Sequence, residues 1–291
     1  MIKGFRDLNG DEIREVQLYL NSLEKNDKSI PQIKEEFNTK VYNFGEGILF
    51  CFKDNKVVGS VKVILEAIKH LSVVFIHFLT VANNVENEVE IISELLTSAI
   101  NLGECKECSK ILLGIREEKI LKLINELGYV PSYHAYKMRL ENKKTTSAPL
   151  ELISLSEQNK EEYLNVFNKS FSDMPHGCYY EMEDIEKYLN DYSENRYYLV
   201  RDKNKLIGFM NIEVENKVGS FDIGLCNEFR GVGYGKRLLE TAIYTLNRVN
   251  VDKIMLTVIE KNSIALNMYL KRGFVVDNIL SHWVEIRNYY D

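Results

Sequence analysis

The same order of patterns occurs twice along this chain of 291 residues. FCFKDNKVVGSVKV in the first half corresponds to YYLVRDKNKLIGFMNI in the second: each is a strand, a charged turn around Asp and Asn, and a strand that carries a glycine. INELGYV and LKRGFVV also correspond, as a helix end, a capping glycine and an aromatic residue opening a strand. Gly208 follows Gly59 by 149 residues, and Gly273 follows Gly128 by 145. Two landmarks at nearly one offset predict a duplicated domain of about that length.

A polar segment separates the two copies. ENKKTTSAPLE, residues 141–151, contains one of only four prolines and follows the strand-like YHAYKMRL. Proline and small polar residues between two patterned regions are typical of a linker. We therefore predict a first domain at 1–142, a linker at 143–150 and a second domain at 151–291.

Within each copy, strands alternate with helices. A helix-like segment comes first, at Asp11–Leu23 and at Glu157–Phe171. A hairpin follows, and then a strand, a helix, a strand, a helix and a closing strand. This order predicts layered α/β (α+β) domains.

Composition and charge exclude several classes of protein. Apolar residues make up 45% and charged residues 27%, as in ordinary globular proteins. The net charge of −6 and the lack of a basic tract argue against nucleic-acid binding and allow a cationic substrate. The longest apolar run, LSVVFIHFLTVA, is shorter than the about 20 residues that span a membrane. The charged N-terminus lacks a signal-peptide core, so we expect a soluble cytoplasmic protein without a membrane partner.

The five cysteines are scattered and odd in number, which indicates free thiols. CKEC at 105–108 has no second pair to complete a tetrahedral zinc site. We interpret it as a turn between a helix and a strand, and we predict no metal.

EFRGVGYGKRLLE, residues 228–240, places three glycines before a helix whose leucines recur at helical spacing. Glycine permits backbone angles closed to other residues and lets a ligand approach the main chain. A helix N-terminus offers unpaired amides and the positive end of its dipole. With Arg230 and Lys236 beside it, this turn predicts a site for a pyrophosphate, although a tight turn without a ligand is the alternative. The spacing fits neither GxGxxG nor the Walker pattern.

The pattern Arg230-x-x-Gly233-x-Gly235 resembles the acyl-CoA signature of the GNAT superfamily of N-acetyltransferases. LTVIEKNSIALNMYLKRGFVV, residues 256–276, resembles that family's second landmark through Asn262, Ala265, Tyr269, Gly273 and Phe274. The resemblance is specific over 219–276 and extends more weakly across 150–291. Asn227 stands at a position often occupied by proline.

This resemblance implies mixed, mostly antiparallel sheets flanked by helices, with two splayed parallel strands, 219–226 and 253–259, in the second domain. Acetyl-CoA would be the co-substrate, bound in the gap, and an amine would attack its thioester directly. Its pyrophosphate would lie on the amides from Val232 to Lys236. The implied cofactor-binding residues are Leu225, Cys226, Asn227, Arg230, Gly231, Val232, Gly233, Tyr234, Gly235, Lys236 and Asn262.

Two proton transfers need residues of their own. The resemblance implies that Tyr269, protonated at neutral pH, donates to the leaving thiolate, although a core tyrosine is the alternative. For the base we consider Glu213, which shares a strand face with Asn211 and Glu215, and Asp222 on the next strand; solvated sheet charges are the alternative. Cys226 is treated as a strand-end thiol.

The loop FSDMPHGCYYEM, residues 171–182, brings His176, Tyr179 and Tyr180 to where such folds shape the acceptor pocket. The acceptor itself stays open among amino acids, polyamines, antibiotics and protein amines, and so does the oligomeric state.

The first copy keeps the outline and loses the chemistry. Aligning TVANNVENEVEII with GLCNEFRGVGYGK puts Glu86 opposite Arg230, and Val89 and Ile91 opposite Gly233 and Gly235. Glu117 falls opposite Asn262 and Ile124 opposite Tyr269. We therefore predict a degenerate first domain beside an N-acetyltransferase domain, a tandem arrangement similar to that of mycothiol synthase. A CoA-binding module without turnover, or a phosphate-binding fold unrelated to CoA, remains the alternative.

Overall fold

The computed structural model describes residues 1–83, 85–171, 173–191, 193 and 195–288. For Arg287 and Asn288 it describes the backbone alone. The chain forms two compact units. Unit 1 comprises Met1–His134 and the end of the chain from Ser281, and unit 2 comprises Ala135–Leu280.

The described part of unit 1 contains five α-helices around a mixed sheet. The helices are α1 (Gly10–Glu24), α2 (Ile30–Phe37), α3 (Ile68–Leu71), α4 (Glu88–Glu104) and α5 (Glu118–Glu126). The strands are β1 (Ile2–Gly4), β2 (Ile48–Lys53), β3 (Lys56–Ile64), β4 (Val73–Val81), β5 (Lys110–Ile115) and the part of β12 (Phe274–Asn288) after Leu280, in that spatial order. Only β4 and β5 pair in parallel among the registers described.

The sheet of unit 1 carries apolar residues on both faces. Along β2, Leu49 and Cys51 pack in one core with α4 and α5, while Ile48, Phe50 and Phe52 pack in another with α1 and α2. Because side chains alternate across a strand, this uninterrupted apolar run requires helices on both faces.

Unit 2 repeats this arrangement. Its helices are α6 (Lys160–Phe171), α7 (Met182–Leu189), α8 (Tyr234–Arg248) and α9 (Ser263–Arg272). Its sheet runs from the first part of β12 through β6 (Tyr133–Leu140), β11 (Lys253–Ile259), β10 (Val218–Leu225), β9 (Lys205–Glu215) and β8 (Arg196–Asp202) to β7 (Glu151–Ser154). One core packs under α8 and α9, and a second packs under α6 and α7.

The closing strand of each sequence half contributes to the other half's unit. β6 belongs to unit 2 from Ala135 onward and pairs with β11. β12 belongs to unit 1 from Ser281 onward and pairs with β5. The domain limits at 142 and 151 stay a prediction, because they describe the sequence copies rather than these compact units.

The segment predicted as a linker is anchored in unit 2. The Nζ of Lys143 donates to the carbonyl of Val251 at 2.7 Å, and the amide of Leu150 donates to Oγ1 of Thr241 at 2.9 Å. The buried carboxylate of Glu240 accepts from the Thr146 amide at 2.9 Å and pairs with Arg272. This polar segment is therefore hydrogen-bonded to α8 and to the loop before β11.

Local predictions agree with the observed turns. Asp54–Asn55 and Lys203–Asn204 join β2 to β3 and β8 to β9 with positive φ at both residues of each pair, as two-residue hairpin turns require. CKEC lies between α4 and β5, and its two cysteines are free thiols.

Candidate active site

A gap opens between β10 and β11. The two strands pair in parallel only at Val218 with Lys253 and at Gly219 with Ile254. Both continue well beyond these pairs, to Leu225 and Ile259. The strands predicted at 219–226 and 253–259 are therefore adjacent at one end and separated at the other.

Backbone polarity along β10 decides which amide faces this gap. The amide of Cys226 donates to the carbonyl of Ile207 on β9 at 2.9 Å. Because successive residues of a strand direct their backbone groups to opposite sides, the amide of Leu225 points towards β11. Of the two backbone positions predicted to bind the cofactor arm, Leu225 is the one whose amide faces the gap.

The glycine turn lies at the open end of β10. Gly231 and Gly233 have φ of +76° and +95°, and a Cβ on either would meet nothing within 4 Å. These two glycines are thus required by backbone conformation and border open space, which leaves room for a ligand against the main chain. Gly235 lies within α8, where a Cβ would come 3.3 Å from Sδ of Met268.

The amides from Val232 to Lys236 donate to no acceptor in the described part of the chain. They surround the first turn of α8, where Gly233 is the residue before the helix. Unpaired amides at a helix N-terminus form an anion site. The residues present therefore fit the pyrophosphate of an acyl-CoA.

The side chains around the turn have separate partners. The guanidinium of Arg230 binds both carboxylate oxygens of Asp173, at 2.6 and 3.1 Å, and the carbonyls of Leu225 and Ser170, at 3.1 and 2.9 Å. It thus ties the end of β10 to the end of α6. Tyr234 donates its hydroxyl to Asp202 at 2.9 Å, whereas Lys236 is exposed and has no partner among the described residues. Lys236 is consequently the cation available to a phosphate.

The two predicted asparagines differ in their surroundings. Asn227 is exposed in a short 3₁₀ helix after β10, and its carbonyl accepts from the Arg230 amide at 3.2 Å. Asn262 caps α9: its Oδ1 accepts from the Ala265 amide at 3.2 Å, and its Nδ2 contacts Sδ of Met174 at 3.6 Å. Asn262 therefore fixes the start of the helix that carries Tyr269.

Tyr269 lies on α9 within the core of unit 2. Its ring meets those of Phe221 and Phe274 at centroid distances of 6.4 and 5.7 Å. Burial, with a smaller contribution from the Asp222 carboxylate, raises the pKa of Tyr269 well above that of an ordinary phenol. Because its pKa is raised, the hydroxyl stays protonated at neutral pH. It has no hydrogen-bond partner among the described residues and is therefore available as a donor.

Asp222 is the candidate base with a perturbed pKa. The side chain is exposed to solvent, but its carboxyl lies among crowded protein atoms, and this desolvation, together with the charge of Glu213, raises its pKa to about 6. Glu213 is itself exposed and accepts from Oγ of Ser220 at 3.3 Å. Both candidate carboxylates thus lie on one face of neighbouring strands, since Asp222 pairs with Asn211 and Ser220 with Glu213.

A tyrosine cluster lies on this same face of the sheet. Tyr163 donates to the buried Asn211, and Tyr188 stacks on Tyr197 with ring centroids 4.0 Å apart. Tyr188 also donates its hydroxyl to Tyr180 at 2.8 Å. The sequence analysis missed Tyr163, Tyr188 and Tyr197, because they come from three separate elements and carry no motif.

The predicted loop residues contribute unequally to this cluster. Burial, with the charge of Asp222 among the smaller causes, raises the pKa of Tyr180 to about 12 and that of Cys178 to about the same value. Burial lowers the pKa of His176 to about 4, with Lys261 contributing. Tyr179 is 37% exposed. The charge of Asp222 therefore acts on Tyr180, and that of Lys261 acts on His176.

Comparison with known proteins relates part of this chain to a protein family. Residues 160–274 match the sequence model described as the Acetyltransferase (GNAT) family. Residues 160–274 belong to the GNAT acetyltransferase family. The chain is accordingly an acyltransferase, as the sequence predicted.

Curated relatives of this chain include two kinds of acetyltransferase. It is 27% identical over 165 residues to spermidine N(1)-acetyltransferase of Escherichia coli K12, covering 55% of this chain and 84% of that protein. It is 27% identical over 130 residues to N-alpha-acetyltransferase 30 of Saccharomyces cerevisiae, covering 40% of this chain and 72% of that protein.

Solved structures share the fold of the whole chain. A GCN5-related N-acetyltransferase from Sphaerobacter thermophilus has a TM-score of 0.61 and 13% identity, and the match covers 100% of this chain and 97% of that one. Another from Anabaena variabilis has a TM-score of 0.64 and 11% identity, with 98% and 72% covered. These likenesses confirm the predicted α/β fold class.

Two classes of feature are absent from the described ranges. They contain no group of three or more His, Cys, Asp or Glu side chains placed to hold a metal ion. Among their helices, none combines the length and apolar character needed to cross a membrane.

The thiol of Cys226 is buried, and burial raises its pKa. A thiol with a raised pKa is a poor nucleophile at neutral pH. This agrees with its interpretation as a strand-end residue of the GNAT domain.

The corresponding connection in unit 1 is shorter and carries different residues at the helix start. The connection from β4 to α4 comprises residues 82–87, and that from β10 to α8 comprises 226–233, two residues more. When the starts of the two helices are superposed, Asn87 corresponds to Gly233 and Val89 to Gly235. The alignment from sequence, which placed Val89 opposite Gly233 and Ile91 opposite Gly235, was therefore wrong by two residues. Asn87 retains a positive φ of 60°. Glu88 and Glu90 then occupy the first turn of α4, which disfavours an anion.

Proposed function

We propose that this protein transfers an acetyl group from acetyl-CoA to a primary amine of a cationic acceptor by direct attack. The observation that carries the proposal is the gap between β10 and β11, with unpaired amides at its open end, Tyr269 on one side and Asp222 on the other. When bound, acetyl-CoA supplies the activated thioester; the protein positions it and moves protons.

The backbone would hold the co-substrate at two places. The amides from Val232 to Lys236, with the ammonium of Lys236, would bind the pyrophosphate. The amide of Leu225 would donate to the thioester carbonyl, where negative charge develops during attack. Such fixed donors stabilise charge without reorganising.

The carboxylate of Asp222 would accept a proton from the attacking ammonium or amine. A base with a pKa of about 6 is ionised at neutral pH and still has affinity for a proton. The phenol of Tyr269 would donate its proton to the leaving sulfur. Asp222 and Tyr269 thus have pKa values on opposite sides of neutrality, as an acid–base pair requires.

The acceptor class follows from charge and aromatic surface near Asp222. Glu213 adds a second carboxylate, and the half-buried rings of Tyr180, Tyr188 and Tyr197 lie on the same face. Carboxylates and tyrosine rings attract cations. A small amine with more than one positive charge therefore suits the site, and a spermidine acetyltransferase among the relatives supports this choice.

Acetyl-CoA binding and turnover test the proposal separately. Calorimetry should show one acetyl-CoA per chain for the wild type and loss of binding for Gly233→Val, because valine cannot adopt φ of +95° without strain. Leu270→Ala, a change at an exposed position on α9, serves as control. No binding by the wild type would refute the acyl-CoA site.

Turnover should then be measured with spermidine, a free amino acid and a short peptide with a free N-terminus. Acetylation of spermidine above the other two supports a cationic acceptor. The alternative function is a CoA-binding module without turnover, which would bind acetyl-CoA tightly and acetylate none of the three.

A further inference from the structure

The residue that replaces Asp222 in unit 1 is a histidine. β4 and β10 hold equivalent places, because each pairs with the glycine-bearing hairpin strand on one side and briefly with a parallel strand on the other. The first parallel pair involves Val73 of β4 and Val218 of β10. Four residues further along each strand lie His77 and Asp222. Across the ladder, Lys62 faces His77 and Asn211 faces Asp222. The position that holds a carboxyl group in unit 2 thus holds an imidazole in unit 1.

β4 also contains an irregularity that β10 lacks. Phe78 has φ of +49°, and the register with β3 shifts beside it. A bulky residue in this region is strained, and its ring is 45% exposed. The Nζ of Lys62 lies 5.0 Å and the Cζ of Arg116 lies 5.4 Å from the ring centroid. The bulge therefore presents an aromatic ring between two cations, and bulges of this kind often re-aim side chains at binding sites.

A cavity of about 100 Å³ lies at the ends of β4 and β5. His77, Phe78, Arg116, Glu117, Ser281 and Trp283 are among its lining residues. Cavities of this order accept a few waters or one small organic molecule. The cavity is thus suited to a compact ligand rather than to an acyl-CoA.

Two polar side chains that line this cavity have no hydrogen-bond partner among the described residues. The Nε2 of His77 is buried without a hydrogen-bond partner among the described residues. The exposed guanidinium of Arg116 forms no hydrogen bond or ion pair within the described ranges. A buried polar atom without a partner is costly and points to a missing ligand or water.

Charge at the cavity selects between ligand classes. Burial, with the charges of Lys62 and Arg116, lowers the pKa of His77 to about 4, so its imidazole is neutral. Of the nearby acids, Glu36 is paired with Lys62 at 2.8 Å, and Glu117 is exposed and lines the cavity. Of the two charged residues that line the cavity, Arg116 is the one that lies against the Phe78 ring, and its guanidinium can bind a carboxylate through paired hydrogen bonds.

We propose that this cavity binds a small carboxylate with an apolar group. Arg116 would bind the carboxylate, His77 would hydrogen-bond to it, and the rings of Phe78 and Trp283 would contact the apolar part. This site is separate from the acyl-transfer site of unit 2, and it takes a ligand of the opposite charge.

The full-length protein contains a built-in reporter for the test. Trp283 is the only tryptophan of the chain and lines the cavity. Titration with benzoate should change tryptophan fluorescence saturably, and calorimetry should give one site per chain. Benzamide and benzylamine, which have the same ring without the negative charge, should bind at least about tenfold more weakly.

Variants separate the site from general effects. Arg116→Gln should weaken benzoate binding by about tenfold or more, since a charge-assisted contact is lost. Arg14→Gln, at an exposed arginine of α1, should leave it unchanged, and thermal unfolding should show both variants folded. No saturable response to benzoate, equal binding of benzamide, or unchanged affinity in Arg116→Gln would overturn the proposal.

Discussion

Replacing Asp222 by asparagine tests the assigned base most directly. Asparagine keeps the size and polarity of the side chain but cannot accept a proton at neutral pH. The pKa of about 6 means that roughly nine in ten Asp222 side chains are ionised at pH 7 and about one in ten at pH 5. In the wild type, kcat/KM should therefore fall about tenfold between these pH values through this group alone.

The variant should lose both rate and this pH dependence. General-base catalysis contributes about 10²- to 10⁴-fold, so kcat/KM of Asp222→Asn should fall by about that factor at pH 7. The assay follows loss of the thioester absorbance of acetyl-CoA across pH 5 to 8 with an excess of the acceptor. An Asp222→Asn enzyme that keeps the wild-type decline towards low pH would refute the assignment, because another group would then produce it.

Glu213→Gln provides a second, quantitative check. The charge of Glu213 helps to raise the pKa of Asp222, so its removal should move the midpoint of the acid decline below about 6. Glu215→Gln, on the same face of β9 and exposed, should leave the midpoint in place. A midpoint that rises in Glu213→Gln would contradict the electrostatic argument.

Three further predictions concern the acid, a buried ion pair and the loop contact. Tyr269→Phe should lower kcat by about 10²-fold while calorimetry shows unchanged acetyl-CoA affinity; an unchanged kcat would exclude the hydroxyl as the acid. Glu240→Gln leaves the guanidinium of Arg272 without its buried partner and should lower the free energy of unfolding in urea by about 3 kcal/mol, with partial recovery in Glu240→Gln/Arg272→Met. Asp173→Asn removes a half-exposed partner of Arg230, so urea unfolding should change by less than about 1 kcal/mol; a larger loss would show that the pair anchors the loop.

Local chemistry explains what the sequence could predict. The left-handed turns at Asp54–Asn55 and Lys203–Asn204 and the glycine turn at 231–233 depend on residues adjacent in the chain. The helix predicted at Asp11–Leu23 runs from Gly10 to Glu24 because Asn9 and Glu12 form a capping box, a signal within four residues. Patterns of this range are readable without knowing the tertiary structure.

Contacts between distant segments were not readable in the same way. Nothing in YHAYKMRL shows that it pairs with β11, because a strand's alternation leaves its partner unspecified. Arg230 was predicted beside a phosphate, and its partners Asp173 and Ser170 precede it by almost sixty residues. Likewise the raised pKa of Asp222 depends on crowding by other elements, so sequence could name the residue but not select it over Glu213.

The two units show that backbone shape and site chemistry can change independently. Asn87 has the left-handed conformation that Gly233 has in unit 2, so the residue before the helix does not have to be glycine. Glu88 and Glu90 nevertheless follow it, so restoring glycine alone would not restore a phosphate site: the acids would still oppose the helix dipole. At the position of Asp222, unit 1 carries His77, whose lowered pKa leaves its imidazole neutral at pH 7. The same fold therefore carries different side chains at two equivalent places, and ligand choice follows from these side chains rather than from the fold.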